Sequence, residues 1–197
     1  MIRLPPLPCT NVVVDLGTLG GPNSFGLAIN SAGNVSGVSY LTFADPHASG
    51  VHAFRYVDGL GMIDVGTLPS GNFSWGQGIN SGGMIVGGSF VDEGGDSLPH
   101  AFITSAAPIL TDLGTLGGDS SFAYGVNAQG QVTGEAAIKT GDIHAFVWTS
   151  DGMRDIGTLG GNTSVGRSSM KANKSRVRAR SARTRQPERS ALLKAWA

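Results

Sequence analysis

Three histidines, His52, His100 and His144, each open a His-Ala-Phe tripeptide, and four aspartates, Asp15, Asp64, Asp112 and Asp155, each open an Asp-x-Gly-Thr run. Imidazoles and carboxylates bind metals and move protons, so two chemistries come first. One histidine from each of several equivalent units could converge on zinc or copper. The aspartates could act as general acids or calcium ligands. Both ideas suffer from multiplicity. A metal ion needs several ligands around one point, and equivalent histidines of successive units are set apart by the width of a unit. A nucleophile, base and orienting group form a unique set, whereas these residues recur. We read each histidine as starting a strand and hydrogen-bonding a neighbouring loop. Each aspartate, followed by Gly two residues later and Thr three later, reads as an acceptor for a tight local backbone.

The chemistry outside the repeated positions is sparse. His47 stands beside Asp45 and Ser49, a grouping that reads as a polar loop, and Asp92, Glu93 and Asp96 could form a weak, solvated cation site. Gly117-Gly118-Asp119-Ser120-Ser121 lacks the lysine and following helix of a phosphate loop. Phe43 and Phe90 lie at the base of two loops of variable length and are candidates for partner contact. No catalytic residue, metal or other cofactor is assigned, and the candidate ligand-binding set is Phe43, Asp45, His47, Phe90, Asp92, Glu93 and Asp96.

The elements that must position these residues follow from a repeat. Successive aspartates are 49, 48 and 43 residues apart, the period of a four-stranded propeller blade. Asn30, Asn80 and Asn127 each begin an Asn-x-x-Gly sequence that suits a type I turn with a glycine at positive φ. Alternating apolar residues on both sides make each turn the bend of a strand pair. The predicted strands lie near 11–19, 24–29, 34–39, 52–57, 62–68, 74–79, 84–89, 100–104, 109–116, 121–126, 131–137, 144–149 and 153–159. They compose a leader (1–10), a repeat domain (11–168, with blades at about 24–68, 74–116 and 121–159) and a tail (169–197). The stretch 11–19 carries a fourth-strand pattern without its first three strands. The expected fold is therefore all-β, with four-stranded antiparallel units in a β-propeller-like, incomplete ring. From the glycine of the second strand to the histidine the distance is 15, 13 and 10 residues, so length variation falls in the loops 39–51, 89–99 and 135–143, on what is often a binding face. Phe25, Trp75, Phe122, Phe54, Phe102, Phe146 and Trp148 fall at equivalent strand positions and are expected in the core between units rather than on a stacking platform.

With Asp-Leu-Gly-Thr-Leu-Gly-Gly, the Asn-x-x-Gly turn and His-Ala-Phe in fixed order, residues 12–166 resemble the bacterial HAF family of extracellular repeat proteins. The second copy departs from the pattern with Pro69-Ser70 in place of Gly-Gly. The resemblance implies a surface or secreted repeat scaffold without an established activity. Together with the variable loops, this gives a non-catalytic scaffold that binds a protein or carbohydrate. The readings set against it are a propeller-type hydrolase or lyase, and nucleic-acid binding through the arginine-rich tail. A membrane partner is not expected.

Composition sharpens the contrast between body and tail. Residues 1–166 hold 13 acidic and 4 basic side chains, and residues 167–197 hold 10 basic and 1 acidic, so a formal charge of zero is the sum of about −9 and +9. Cys9 is the only cysteine and leaves no intrachain disulfide. Residues 1–8 lack the sustained apolar run of a signal peptide, and open faces of an incomplete ring invite self-association. After Gly166 the repeat stops, and the arginine-rich tail is expected to be disordered or at most a short helix near 188–196. Codons for 168–180 can be chosen so that an adjacent frame reads Ile-Asn-Glu-Gly-Glu-Gln-Val-Ala-Gly, in register with the strand pair that begins at Val126. The gene is thus expected to show a frame break near residue 168, and an adjacent frame without the repeat would refute it.

Overall fold

The computed structural model describes residues 13–41, 50–93, 96–105, 109–168 and 175–180. Their structure is all-β, with no helix among the described residues, and none long and apolar enough to cross a membrane. Three sheets share one connectivity. The first has the order β1 (Gly20–Ile29), β2 (Val35–Leu41), β3 (Val51–Val57), β4 (Gly61–Gly66). The second repeats it with β5 (Ser74–Ile79), β6 (Ile85–Glu93), β7 (Asp96–Thr104) and β8 (Leu110–Asp112). The third runs through β9 (Gly117–Val126), β10 (Val132–Ile138), β11 (Ile143–Thr149) and β12 (Gly152–Gly157). An antiparallel hairpin follows, β13 (Thr163–Ser168) with β14 (Ser175–Arg180), and it joins the third sheet through a single parallel bridge from Ile143 to Thr163. A similar bridge from Val51 to Phe73 links the first sheet to the second.

The asparagine turns show why the strand pairs close. Asn30, Asn80 and Asn127 each accept, on Oδ1, the amides two and four residues ahead. The glycine three residues on takes φ near +80°, at Gly33, Gly83 and Gly130, where a side chain would be strained. The asparagines also connect the sheets, because Asn30 Nδ2 donates to Asn80 O and Asn80 Nδ2 donates to Asn127 O, both at 2.9 Å.

The core lies between sheets. Phe54, Phe102 and Phe146 of the His-Ala-Phe tripeptides are fully buried at 0% exposure. Phe102 packs on Ala53, Val65 and Leu68 of the preceding sheet, and Phe146 on Ala101 and Leu113 of the sheet before it. Phe54 and Phe146 lie against the second-strand glycines Gly37 and Gly134, and Gly87 holds the same position in the second sheet. A Cβ added there would overlap the carbonyl oxygen of Phe25, Trp75 or Phe122 on the adjacent first strand, and at Gly37 and Gly134 the phenyl ring as well.

Four expectations need correction. The stretch 13–18 forms no strand, and only Leu19 bridges to Leu41. In the sheets a fourth strand pairs with a third strand bearing His-Ala-Phe, and among the described residues no such strand lies beside 13–18. The segments 89–99 and 135–143 are not loops: β6 and β7 continue their ladder out to Glu93 opposite Asp96, and β10 and β11 out to Ala137 opposite Ile143, so the variation in length is a difference between hairpins. Phe25 is exposed, and Trp75 and Phe122 at the same strand position are half-buried, rather than part of the core. In the tail, Ser175–Arg180 pairs antiparallel with β13 as β14 rather than standing apart from the sheets. The rest of 169–197 lies outside the described residues.

Replacing Phe102 or Phe146 with Ala should therefore cost about 3–5 kcal/mol of unfolding free energy, whereas Phe25→Ala should stay within about 0.5 kcal/mol. Urea unfolding of the three variants checks this, and equal losses would show that the phenyl rings do not hold the sheets together.

Candidate binding surface

The repeated histidines and aspartates form pairs. His52 Nδ1 lies 2.9 Å from both carboxylate oxygens of Asp64, His100 Nδ1 2.9 Å from Asp112 Oδ2, and His144 Nδ1 2.8 Å from Asp155 Oδ2. Each pair joins the third and fourth strands of one sheet at the end that carries the variable hairpins. The carboxylate can only accept, so the imidazole proton sits on Nδ1. Oδ1 of each aspartate also accepts the amide of the glycine two residues on, at Gly66, Gly114 and Gly157, as Asp15 does from Gly17. These four glycines have φ between +71° and +78°. At Asp64 and Asp155 burial pushes the carboxyl pKa up. The hydrogen bonds from His52 or His144 and from the glycine amide, with the attraction of the histidine, outweigh it and hold both acids below the usual carboxylate value. The sequence reading had each aspartate bound to local backbone and each histidine to a loop. It did not see that they bind each other.

Serines were missed entirely. Ser74, Ser121 and Ser164 each donate to the carbonyl of the glycine in the preceding Asp-x-Gly turn and accept the amide of Ala53, Ala101 or Ala145 in the preceding His-Ala-Phe. Ser24 donates to Gly17 O in the same way. The signal was present: Ser24, Ser74 and Ser121 all stand six residues before the turn asparagine, and Ser164 stands nine residues after its aspartate, like Ser24 and Ser121.

The aromatic side chains divide into a core and a surface ribbon. Phe90, one of the expected contact residues, is half-buried in β6 and meets Phe73 edge-on at 6.1 Å and Trp75 at 5.3 Å. Trp75 meets Phe122 of the next sheet at 6.1 Å, and Phe122 meets Tyr124 at 5.2 Å. The Arg167 guanidinium then lies 4.7 Å over the Tyr124 ring, close enough for cation–π attraction. All five rings are half-buried, so this ribbon crosses from the second sheet to the third with its edges open to solvent. Tyr124 Oη donates to Glu135 Oε1 at 2.7 Å. Burial, then that bond and the Glu135 charge, push the phenol pKa up against the opposing pull of Arg167, so the hydroxyl stays protonated. The ribbon ends at the long hairpin, where Asp92 is exposed and Glu93 pairs with Asp96 through the backbone. Phe43, Asp45 and His47 lie outside the described residues.

Near the asparagine turns of the second and third sheets, Met84, Ile103, Thr111, Gln131 and Trp148 line an open hollow of about 360 Å³ whose lining contains no titratable side chain. Among the described residues no group of three or more His, Cys, Asp or Glu is placed to hold a metal ion. Compared with known protein families, curated proteins and solved structures, the chain matches none of them.

The histidine–aspartate pairs set an acid limit. Because the folded-state values of Asp64 and Asp155 are lowered, their stabilisation is complete above the ordinary carboxylate value of about 4 and disappears as the pH falls through the folded values. An Asp64→Asn, Asp155→Asn variant should be less stable than the parent at neutral pH, and the gap should narrow as the pH falls below the ordinary carboxylate value and through the lowered folded values. Urea midpoints measured across this range test it, and a gap that does not change with pH would contradict it.

Proposed function

We propose that this chain is a non-catalytic binding scaffold whose ligand lies along the aromatic ribbon of Phe73, Phe90, Trp75, Phe122 and Tyr124 and against the neighbouring hairpin. Of the two ligand classes raised by the sequence, protein and carbohydrate, the ribbon favours a carbohydrate chain. A sugar ring presents C–H bonds on its face and hydroxyls at its rim. Aromatic rings give area for the face at little entropic cost, and Glu135 and Arg167, already fixed by Tyr124, offer an acceptor and a donor for the rim. The single observation that carries the reading is the continuity of half-buried rings across two sheets.

A scaffold is further supported against a hydrolase or lyase because the histidine–aspartate pairs occur in three equivalent copies and the hollow has no titratable lining. The same proposal includes the resemblance to extracellular HAF proteins, a location outside the cell, and successive sheets set as blades of a propeller-like, incomplete ring.

Affinity electrophoresis of the purified chain through gels containing individual polysaccharides tests the reading. At least one polysaccharide should retard the protein, and Trp75→Ala should weaken that binding about tenfold, the effect of roughly 1.4 kcal/mol, while Asp151→Ala, exposed at the opposite end, should leave it unchanged. Retardation unaffected by Trp75→Ala would move the ligand off the ribbon, and no retardation by any polysaccharide would remove carbohydrate as the ligand.

A further inference from the structure

The hollow beside the asparagine turns has a filled counterpart inside the molecule. Arg55 stands three residues after His52, as Ile103 does after His100, and Gly83 stands three after Asn80, as Gly130 does after Asn127. Between the first sheet and the second, Arg55 crosses to the turn of the next sheet, where its Nη1 donates to Gly83 O at 3.4 Å. A Cβ on Gly83 would lie 3.6 Å from that nitrogen and 3.8 Å from Nδ2 of Asn34, the counterpart of Met84. Between the second sheet and the third, a Cβ on Gly130 would meet Met84 Cε at 3.7 Å, but no atom of Ile103 within 4 Å. Isoleucine is too short to make the crossing. The space that Arg55 spans in one place is the hollow of about 360 Å³ in the other, with Met84, Ile103, Gln129, Gly130 and Trp148 in its lining.

That lining suits the same side chain. Met84 and Ile103 offer apolar surface to a methylene stem. Trp148, half-buried against the core, offers an indole on which a planar guanidinium stacks better than a compact ammonium does. The carbonyl of Gly130 is the counterpart of the acceptor that Arg55 uses at Gly83, and the Gln129 amide adds another oxygen. The hollow has no cation in its lining to receive an anion, and the body up to residue 166 carries about −9, which draws a cation towards it.

We propose that this hollow is a second binding site, for an arginine side chain of another polypeptide, which enters from solvent and takes the place that Arg55 holds between the first two sheets. The site lies at the opposite end of the strands from the long hairpin beside the aromatic ribbon, so it does not depend on a ligand there. Added salt weakens the contact by screening the attraction of the acidic body.

Proton–nitrogen NMR spectra of the full chain test this. The peptide acetyl-Gly-Arg-Gly-amide, at millimolar concentration, should shift the indole N–H signal of Trp148, identified by its loss in Trp148→Phe, and leave that of Trp75 in place. The same peptide with citrulline, which has the shape of arginine without its charge, should have far less effect. Gln129→Lys, at an exposed position of the lining, should weaken binding of the arginine peptide about tenfold through like-charge repulsion. Ile103→Arg should abolish it by filling the hollow from within. Ile103 is buried, and if that variant loses its β-sheet circular dichroism, Gln129→Lys decides alone. A Trp148 signal that the arginine peptide does not move, an equal response to the citrulline peptide, or undiminished binding to Gln129→Lys would overturn the proposal.

Discussion

One hydroxyl joins each sheet to the sheet before it. The serine near the start of the first strand donates to the glycine carbonyl of the preceding Asp-x-Gly turn and accepts the alanine amide of the preceding His-Ala-Phe. Ser74 is fully buried and Ser121 nearly so, and a buried backbone group without a partner costs about 1–3 kcal/mol. Removing the hydroxyl would strand two such groups at once. Much else in the sheet serves that bond. The aspartate holds the turn so that the glycine carbonyl points at the serine, the histidine ties the aspartate to the third strand, and the alanine presents its amide from that strand. Aspartate, glycine, histidine, alanine and serine are therefore one network, although the chain writes them as three separate motifs.

This explains what the sequence could and could not show. The period, the turns and most strands follow from local chemistry: Asn and Gly close a bend and alternating residues line its two sides, so β2, β5, β10 and β11 are legible from neighbours alone. The pairing of His100 with Asp112 is not, because it depends on how two strands are aligned across a sheet. The serines were harder still, since a serine beside a turn usually looks like a solvated loop residue. Their fixed distance from the asparagine was the available signal. The stretch near Asp15 misled because it has the composition of a fourth strand, and composition does not say whether a third strand is there to pair with it. For the binding surface, Phe90 was legible as a residue at the base of a variable segment. Trp75 and Phe122 read instead as core residues alongside Phe25, because a repeated aromatic on a strand does not show which face of the sheet is left half open.

Repetition also restricts where a function can sit. A position bound into the network cannot vary without loosening a joint, and each histidine–aspartate pair ties its turn to the third strand. Freedom remains where the sheets differ. The second sheet extends its hairpin to Glu93 and Asp96, and it places Phe73 where the first has Asn23 and Phe90 where the first has Tyr40. The aromatic ribbon follows from these differences.

Differences within the core show how tightly the rule holds. Ser39 and Ser89 accept the amides of Leu19 and Leu68, yet Ala136 occupies the same place in the third sheet. One position before the second-strand glycine, Ser36 and Thr133 bury hydroxyl oxygens without a hydrogen-bond partner, where the second sheet has Val86. Valine has nearly the shape of threonine without its polar group, so it fills that site with no desolvation cost. Position 86 therefore has the residue the core prefers, and the hydroxyls at 36 and 133 are tolerated rather than used. The serine joint is different because both of its partners are backbone groups, which no substitution short of proline removes. Side chains around it can be exchanged between sheets, but the hydroxyl itself recurs at all three joints from Ser74 to Ser164.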